Sequence, residues 1–199
     1  FSWLVDASYQ KTMFLVNKQN PIPDSYSPNI FLYQSEYPRC GEESNLSESV
    51  MYSWIQLRDF MRSRGFYIDV ESAYRSTEMQ RQIYEDNKAK YGEEHASIFV
   101  ARPGYSEHET GLAIDVCMKI GEEWINEFDE RLHACYQLLH QVCADYGFIL
   151  RYPKGKEEIT GYHYEPWHLR YLGSSRIASD IMKRKLTLEE YYQERFKNI

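Results

Sequence analysis

The chain has 199 residues, 43% of them hydrophobic and 16% aromatic, enough for one domain with a buried core. Its formal net charge of −7, with no run of Lys or Arg, argues against nucleic acid or an anionic membrane surface as the main partner. No stretch of about 18 consecutive apolar residues is present, so no segment is expected to span a membrane.

Residues 1–40 read as an arm that packs on a core built from residues 41–199. Within it Leu15–Lys18 and Phe31–Tyr33 read as short extended pieces, and Pro21, Pro23, Pro28 and Pro38 forbid long helices. The first helix is expected over Asn45–Arg64, capped by Asn45 or Ser47, with Val50, Trp54, Leu57 and Met61 on one apolar stripe and Gly65 as its stop. Phe66–Ser72 alternates and predicts a strand. Tyr74-Arg75-Ser76 then turns into a second helix, Glu78 to Tyr91, capped by Ser76 or Thr77, with Met79, Ile83, Asn87 and Tyr91 expected to face inward.

Glu93–Val100 predicts a short helix, and Arg102–Tyr105 a loop leading to His108. Leu112–Met118 reads as a strand carrying Asp115, with Gly111 giving the chain a tight passage before it. Glu127–Tyr146 predicts one long helix, striped by Phe128, Leu132, Cys135, Leu139, Val142 and Tyr146 and ended by Gly147. Phe148–Tyr152 predicts a strand, and Tyr162–Leu172 a last strand region bent by Pro166. Thr187-Leu-Glu-Glu190 is a capping box opening a terminal helix. Helices and strands mix without regular βαβ alternation, so the expected class is α+β, helices flanking a small, mainly antiparallel sheet.

The four cysteines, Cys40, Cys117, Cys135 and Cys143, contain no C-x-x-C and are too irregularly spaced for a disulfide scaffold. Cys135 and Cys143 read as small core residues, and Cys117 as a buried strand residue or a neighbour of the site.

Two segments concentrate the chemistry: Ser106-Glu-His-Glu-Thr-Gly-Leu-Ala-Ile-Asp115 and Glu165-Pro-Trp-His168. Catalytic Zn²⁺ takes three protein ligands and keeps one position for water, and a separate carboxylate is needed to move that water's proton. His108, Asp115 and His168 supply such a ligand set, and Glu165 such a base. A structural zinc is disfavoured because only three ligands can be nominated. His163 would crowd the water position and reads as a strand-face residue; His95, His133 and His140 lie in helical patterns and carry no assigned chemistry.

These segments, with Ala73-Tyr-Arg-Ser-Thr-Glu-Met-Gln80 upstream and Tyr146-Gly-Phe-Ile-Leu-Arg-Tyr-Pro153 and Glu158–Gly161 between them, resemble the zinc D,D-/L,D-carboxypeptidases of bacterial peptidoglycan. That is the VanY-type group with its bifunctional VanXY relatives, and the resemblance covers Leu15 to Gly173. It implies zinc on His108, Asp115 and His168, Glu165 as general base, and Arg75 at the scissile carbonyl. It also implies substrate contacts at Ser106 and Gln80, with Trp167 shaping the wall.

The implied reaction is zinc-dependent removal of the C-terminal D-Ala from a peptidoglycan stem peptide or its precursor. L,D-cleavage of tetrapeptide stems and a D,D-dipeptidase are the alternatives within enzymes. A non-catalytic zinc-dependent module binding cell-wall peptides is the alternative of another class, disfavoured because it needs no base at Glu165. Such a substrate implies an extracytoplasmic location, secreted or anchored through a segment upstream of Phe1, with the cytoplasm as the alternative.

Overall fold

The site is carried by a sheet in which every pairing is antiparallel. A computed structural model describes residues 12–37, 44–125 and 129–196. The sheet order is β3 (Tyr67–Ser72), β4 (Ala113–Ile120), β7 (His168–Tyr171), β6 (Phe148–Leu150), and β5 (Glu123–Ile125) forms a hairpin with the end of β4. A separate two-stranded ribbon pairs β1 (Ile30–Phe31) with β2 (Leu46–Ser47). The architecture is α+β, with helices α1 (Glu48–Ser63), α2 (Thr77–Tyr91), α3 (Glu93–Phe99), α4 (His133–Val142), α5 (Glu157–Thr160), α6 (Ser175–Arg184) and α7 (Leu188–Phe196).

The period of two along each strand separates core from site. Ile68 and Val70 on β3, Ile114, Val116 and Met118 on β4, and Leu169 on β7 enter one apolar core. Val50, Trp54, Leu57 and Met61 of α1 close it from one side, with Cys135, Tyr136 and Leu139 of α4. The alternate residues Asp115, His168 and Arg170 turn to the other face, where the site lies. A second core cluster joins Met13, Ile149 and Leu172 to Ile177, Ala178 and Ile181 of α6 and Leu188 and Tyr191 of α7.

The segment 12–37 lies along this frame through specific hydrogen bonds. Arg170 Nη2 donates to the carbonyls of Thr12 and Phe14 at 2.9 and 3.0 Å, Arg151 Nη2 to that of Val16, and Tyr26 Oη to that of Thr110 at 2.7 Å.

Several expectations change in the folded chain. The first helix begins at Glu48, because Leu46 and Ser47 are taken up in β2, and Asn45 Oδ1 instead accepts from the backbone N–H of Tyr33. Helix α2 is capped by Ser76, whose Oγ accepts from Met79 N–H, but it buries Gln80 and Tyr84, one position on from the expected apolar stripe, and Tyr91 is exposed. The long helix over 127–146 is instead a 3₁₀ turn at Glu130–Leu132, the α4 helix, and a second 3₁₀ turn at Cys143–Tyr146. Phe128 lies outside the described residues, as do Pro38 and Cys40.

The last strand covers only His168–Tyr171; His163 sits before it in an exposed loop, stacked on Phe99 with ring centroids 4.9 Å apart. Leu15–Lys18 forms no strand, and β5, α5 and α6 are elements that periodicity did not reveal. Cys117, Cys135 and Cys143 are buried and not disulfide-bonded, and burial pushes the latter two thiols up to about 12.

Candidate metal centre and active site

The motif from Ser106 to Asp115 folds as a 3₁₀ turn over Glu107–Thr110, a left-handed Gly111 and then strand β4. Gly111 has φ +67°, and a Cβ there would lie 2.7 Å from Ile30 Cδ1. Only glycine takes this turn against the β1–β2 ribbon without strain. The turn is buried, and it delivers His108 beside the start of β4.

Each candidate ligand is fixed by a different backbone device. His108 Nδ1 donates to the Ala73 carbonyl at 2.7 Å, which turns Nε2 toward Asp115 Oδ2 at 3.1 Å. Asp115 and His168 are directly opposed in the β4–β7 register, with Oδ1 and Nδ1 2.9 Å apart. One donor atom from each of His108, Asp115 and His168 lies within 4.8 Å of the others.

Two imidazole nitrogens and one carboxylate oxygen form a donor set suited to a catalytic Zn²⁺. Each ring's remote nitrogen is also held, His108 by a carbonyl and His168 by the Glu107 carboxylate at 3.4 Å, as metal-binding histidines usually are. The residues present therefore fit the ion that the sequence implies.

Glu165 stands next to this cluster, Oε2 3.7 Å from His168 Nδ1. Its backbone N–H donates to the Tyr152 carbonyl, and its own carbonyl accepts from His168 N–H. Burial pushes its carboxyl up to about 7, with Asp115 adding to the shift and His168 and Arg75 opposing it. A carboxylate poised there is matched to proton transfer near neutral pH.

Arg75 approaches the same cluster through Asp115. A β-bulge between Val70 and Ser72 brings Ser72 opposite Asp115, and Arg75 Nε donates to Ser72 Oγ at 3.0 Å while Nη2 lies 3.4 Å from Asp115 Oδ2. The Arg75 backbone N–H is tied to the His108 carbonyl at 3.2 Å.

Arg75, Gln80, Ser106, His108, Asp115, Glu165, Trp167 and His168 all border one cleft of about 180 Å³. Gln80 is buried rather than solvated; Nε2 donates to the Ala101 carbonyl and Oε1, which is buried, has no partner among the described residues. Ser106 is buried, and Trp167 forms part of the wall while also packing on the apolar core.

A buried ion network behind His168 was not anticipated. Glu107 Oε1 accepts from Arg151 Nε at 2.7 Å and Arg170 Nη1 at 2.8 Å. Glu189 of α7 then binds Arg151 through Nη1 and Nη2 at 2.9 and 2.6 Å. Burial disfavours the Glu107 anion, but the two guanidiniums overcome it and hold the carboxyl far below its usual range. Burial likewise works against the His168 imidazolium, yet hydrogen bonds to Asp115 and Glu107 raise it to about 9. Asp115 is held well below the ordinary range by His108 and His168, against the effect of burial.

One sequence signal for this network was available. Arginine interrupts the apolar runs Phe148-Ile-Leu-Arg-Tyr152 and His168-Leu-Arg-Tyr171, and an arginine on a buried strand requires a buried anion. His140 was also passed over: its Nε2 donates to the Pro166 carbonyl at 2.8 Å and so braces the Pro166-Trp-His168 approach.

A fold and cleft of this kind define a peptidase class, and comparison with known proteins identifies it. Residues 43–174 match the family model described as VanY, D-alanyl-D-alanine carboxypeptidase. The chain is 36% identical over 189 residues to the bifunctional D-Ala-D-Ala dipeptidase and D-Ala-D-Ala carboxypeptidase VanXYC of Enterococcus gallinarum, covering 91% of this chain and 93% of the relative.

Among solved structures, the LdcB LD-carboxypeptidase superposes with a TM-score of 0.79 at 34% identity, covering 90% of this chain and 84% of that one. A mutant of the vancomycin resistance D,D-pentapeptidase VanY, in complex with Zn(II), superposes with a TM-score of 0.78 at 33% identity, covering 91% and 98%. The chain belongs to the VanY family of D-alanyl-D-alanine carboxypeptidases, a peptidase family.

Proposed function

We propose that this chain is a zinc-dependent D,D-carboxypeptidase that removes the C-terminal D-Ala from peptidoglycan stem peptides or their precursors. One observation carries the reading: Glu165 lies beside the His108–Asp115–His168 cluster, and Arg75 reaches the same cleft against Asp115. A pure binding module has no use for that pairing of base and guanidinium. The VanY structure in complex with Zn(II) supports the choice of ion.

Zinc, when bound by His108, Asp115 and His168, would supply Lewis acidity for the attacking water and the scissile carbonyl. Glu165 takes the water's proton as its oxygen adds to the carbonyl carbon. It then passes that proton to the departing amine nitrogen as the C–N bond breaks. Arg75 places its guanidinium against the oxyanion that forms between these steps, and Ser72 holds it there. The unpartnered Gln80 Oε1 is suited to accept an N–H of the peptide, with Ser106 and Trp167 lining its seat.

Cleavage of tetrapeptide stems is a second reading, favoured by the similarity to LdcB, and a D,D-dipeptidase a third, favoured by the similarity to VanXYC. In the same reading residues 1–40 form an arm and residues 41–199 the catalytic domain; the hydrogen bonds of Arg151 and Arg170 to the 12–16 backbone support that division. Among the described residues no helix is long and apolar enough to cross a membrane. A stem-peptide substrate favours work outside the cytoplasm, and cleavage of precursors favours the cytoplasm as the alternative.

The test is D-Ala release from three peptides, with zinc supplied and then chelated. Zinc-dependent release from a stem pentapeptide ending D-Ala-D-Ala alone establishes the proposal. Release from the tetrapeptide, or from free D-Ala-D-Ala, moves the specificity to the second or third reading. No release from any of them, with zinc bound, overturns the enzymatic proposal in favour of a binding module.

A further inference from the structure

We infer that Glu107 is a positioning residue that selects which nitrogen of His168 faces the metal. The inference rests on the metal-dependent reading above and adds a residue that the reaction itself does not require.

His168 presents its two ring nitrogens to two different carboxylates. Nδ1 faces Asp115 Oδ1 at 2.9 Å, inside the candidate donor cluster, whereas Nε2 faces Glu107 Oε2 at 3.4 Å and has no other hydrogen-bond partner among the described residues. Neutral imidazole carries one proton, and the nitrogen that binds a metal must be the bare one. An anionic acceptor at Nε2 keeps the proton there and leaves the Nδ1 lone pair for the ion. His108 is arranged the opposite way, its Nδ1–H spent on the Ala73 carbonyl and Nε2 turned inward. The two histidines thus offer different nitrogens, each set by its remote partner.

Glu107 is built to remain an acceptor. Its side chain is 1% exposed, and both arginines that hold it, Arg151 and Arg170, are wholly buried. Both donate to the same oxygen, Oε1, which leaves Oε2 to His168. A carboxylate clamped through one oxygen presents the other in a fixed direction.

This geometry makes a specific forecast for Glu107→Gln. The amide oxygen will stay with the two arginines, and the NH₂ group will occupy the place of Oε2. A donor then faces His168 Nε2, and the ring is driven to the tautomer with its proton on Nδ1, where the metal should bind. An isosteric replacement is therefore harmful through hydrogen-bond polarity alone.

The experiment has two arms that need no turnover. In the zinc-loaded parent chain, long-range proton–nitrogen NMR correlations should show His168 metal-bound through Nδ1 with a proton on Nε2, and His108 the reverse. Zinc affinity, by competition with a chromophoric chelator, should weaken roughly 10–100-fold in Glu107→Gln. Thermal unfolding of the metal-free proteins identifies any variant that fails to fold, and the NMR arm stands without the variant.

Metal on His168 Nε2 overturns the inference, as does a folded Glu107→Gln whose affinity stays within about two-fold of the parent. A parent chain that binds no zinc would overturn the metal-dependent reading as well, which separates the two failures.

Discussion

Asp115 and His168 face each other across the β4–β7 ladder, Oδ1 2.9 Å from Nδ1, so the register of two strands sets the distance between two of the three candidate donors. A slip of β7 by one residue against β4 would turn His168 into the apolar core and put Leu169 on the face of Asp115. The sheet backbone therefore positions two of the three candidate donors. The proposed base and the candidate metal-ligating carboxylate should fail differently when replaced. Glu165→Gln should retain stoichiometric zinc and lose roughly 10²–10⁴ in kcat. Asp115→Asn should lose the zinc itself. Elemental analysis beside steady-state rates separates them, and a Glu165→Gln protein with intact turnover would remove that residue from the mechanism.

Arg75 and Ser72 form a second pair with graded consequences. Loss of a transition-state donor by Arg75→Ala should cost about 10²–10³ in kcat. Ser72→Ala removes only the hydrogen bond that orients Arg75 Nε, so a smaller fall in kcat is expected with KM little changed. A KM effect in Ser72→Ala without a kcat effect would place Arg75 in ground-state binding instead.

Gly111 tests the tight turn between two of the candidate ligands. Gly111→Ala should destabilise the fold by about 1–2 kcal/mol through its left-handed backbone alone. The contact at 2.7 Å with Ile30 Cδ1 adds to this loss. Ile30→Val deletes that methyl group, and in the double variant it should return the second part and not the first. Urea unfolding of the four proteins in the cycle measures both.

His140 gives a pH dependence with a defined sign. Burial pushes its imidazole down from the ordinary value of 6.5, against the hydrogen bond to Pro166, so the folded chain resists its protonation. Well above that value both states hold it neutral and its contribution is complete. As pH falls through the ordinary range, the unfolded chain takes up the proton first and stability drains away. The stability difference between the parent and His140→Gln should therefore shift against the parent on acidification from about pH 8 to about pH 5, by at most about 1.4 kcal/mol per pH unit. A pH-independent difference would show that His140 does not titrate with folding.

Much of the local architecture was legible in the chain because it depends on neighbours in sequence. Thr187 and Glu190 form the reciprocal cap that their spacing announced, Glu190 Oε2 accepting from Thr187 N–H and Thr187 Oγ1 from Glu190 N–H. The stripe Val50, Trp54, Leu57, Met61 is buried on α1 as its period required. Two compact motifs, Ser106–Asp115 and Glu165–His168, and the family resemblance they carry nominated His108, Asp115, His168 and Glu165, because those side chains can hold a divalent cation and move a proton.

What only the tertiary structure decided is how those groups are held. Helix α2 turned Gln80 inward because the cleft offered it the Ala101 carbonyl, a polar partner that apolar periodicity cannot register. Glu107 meets Arg151 and Arg170 across 44 and 63 residues of sequence, and His168 meets Asp115 across 53. No local pattern records such pairings. They arise when the sheet register closes and each buried charge must find an opposite charge in a medium that solvates it poorly.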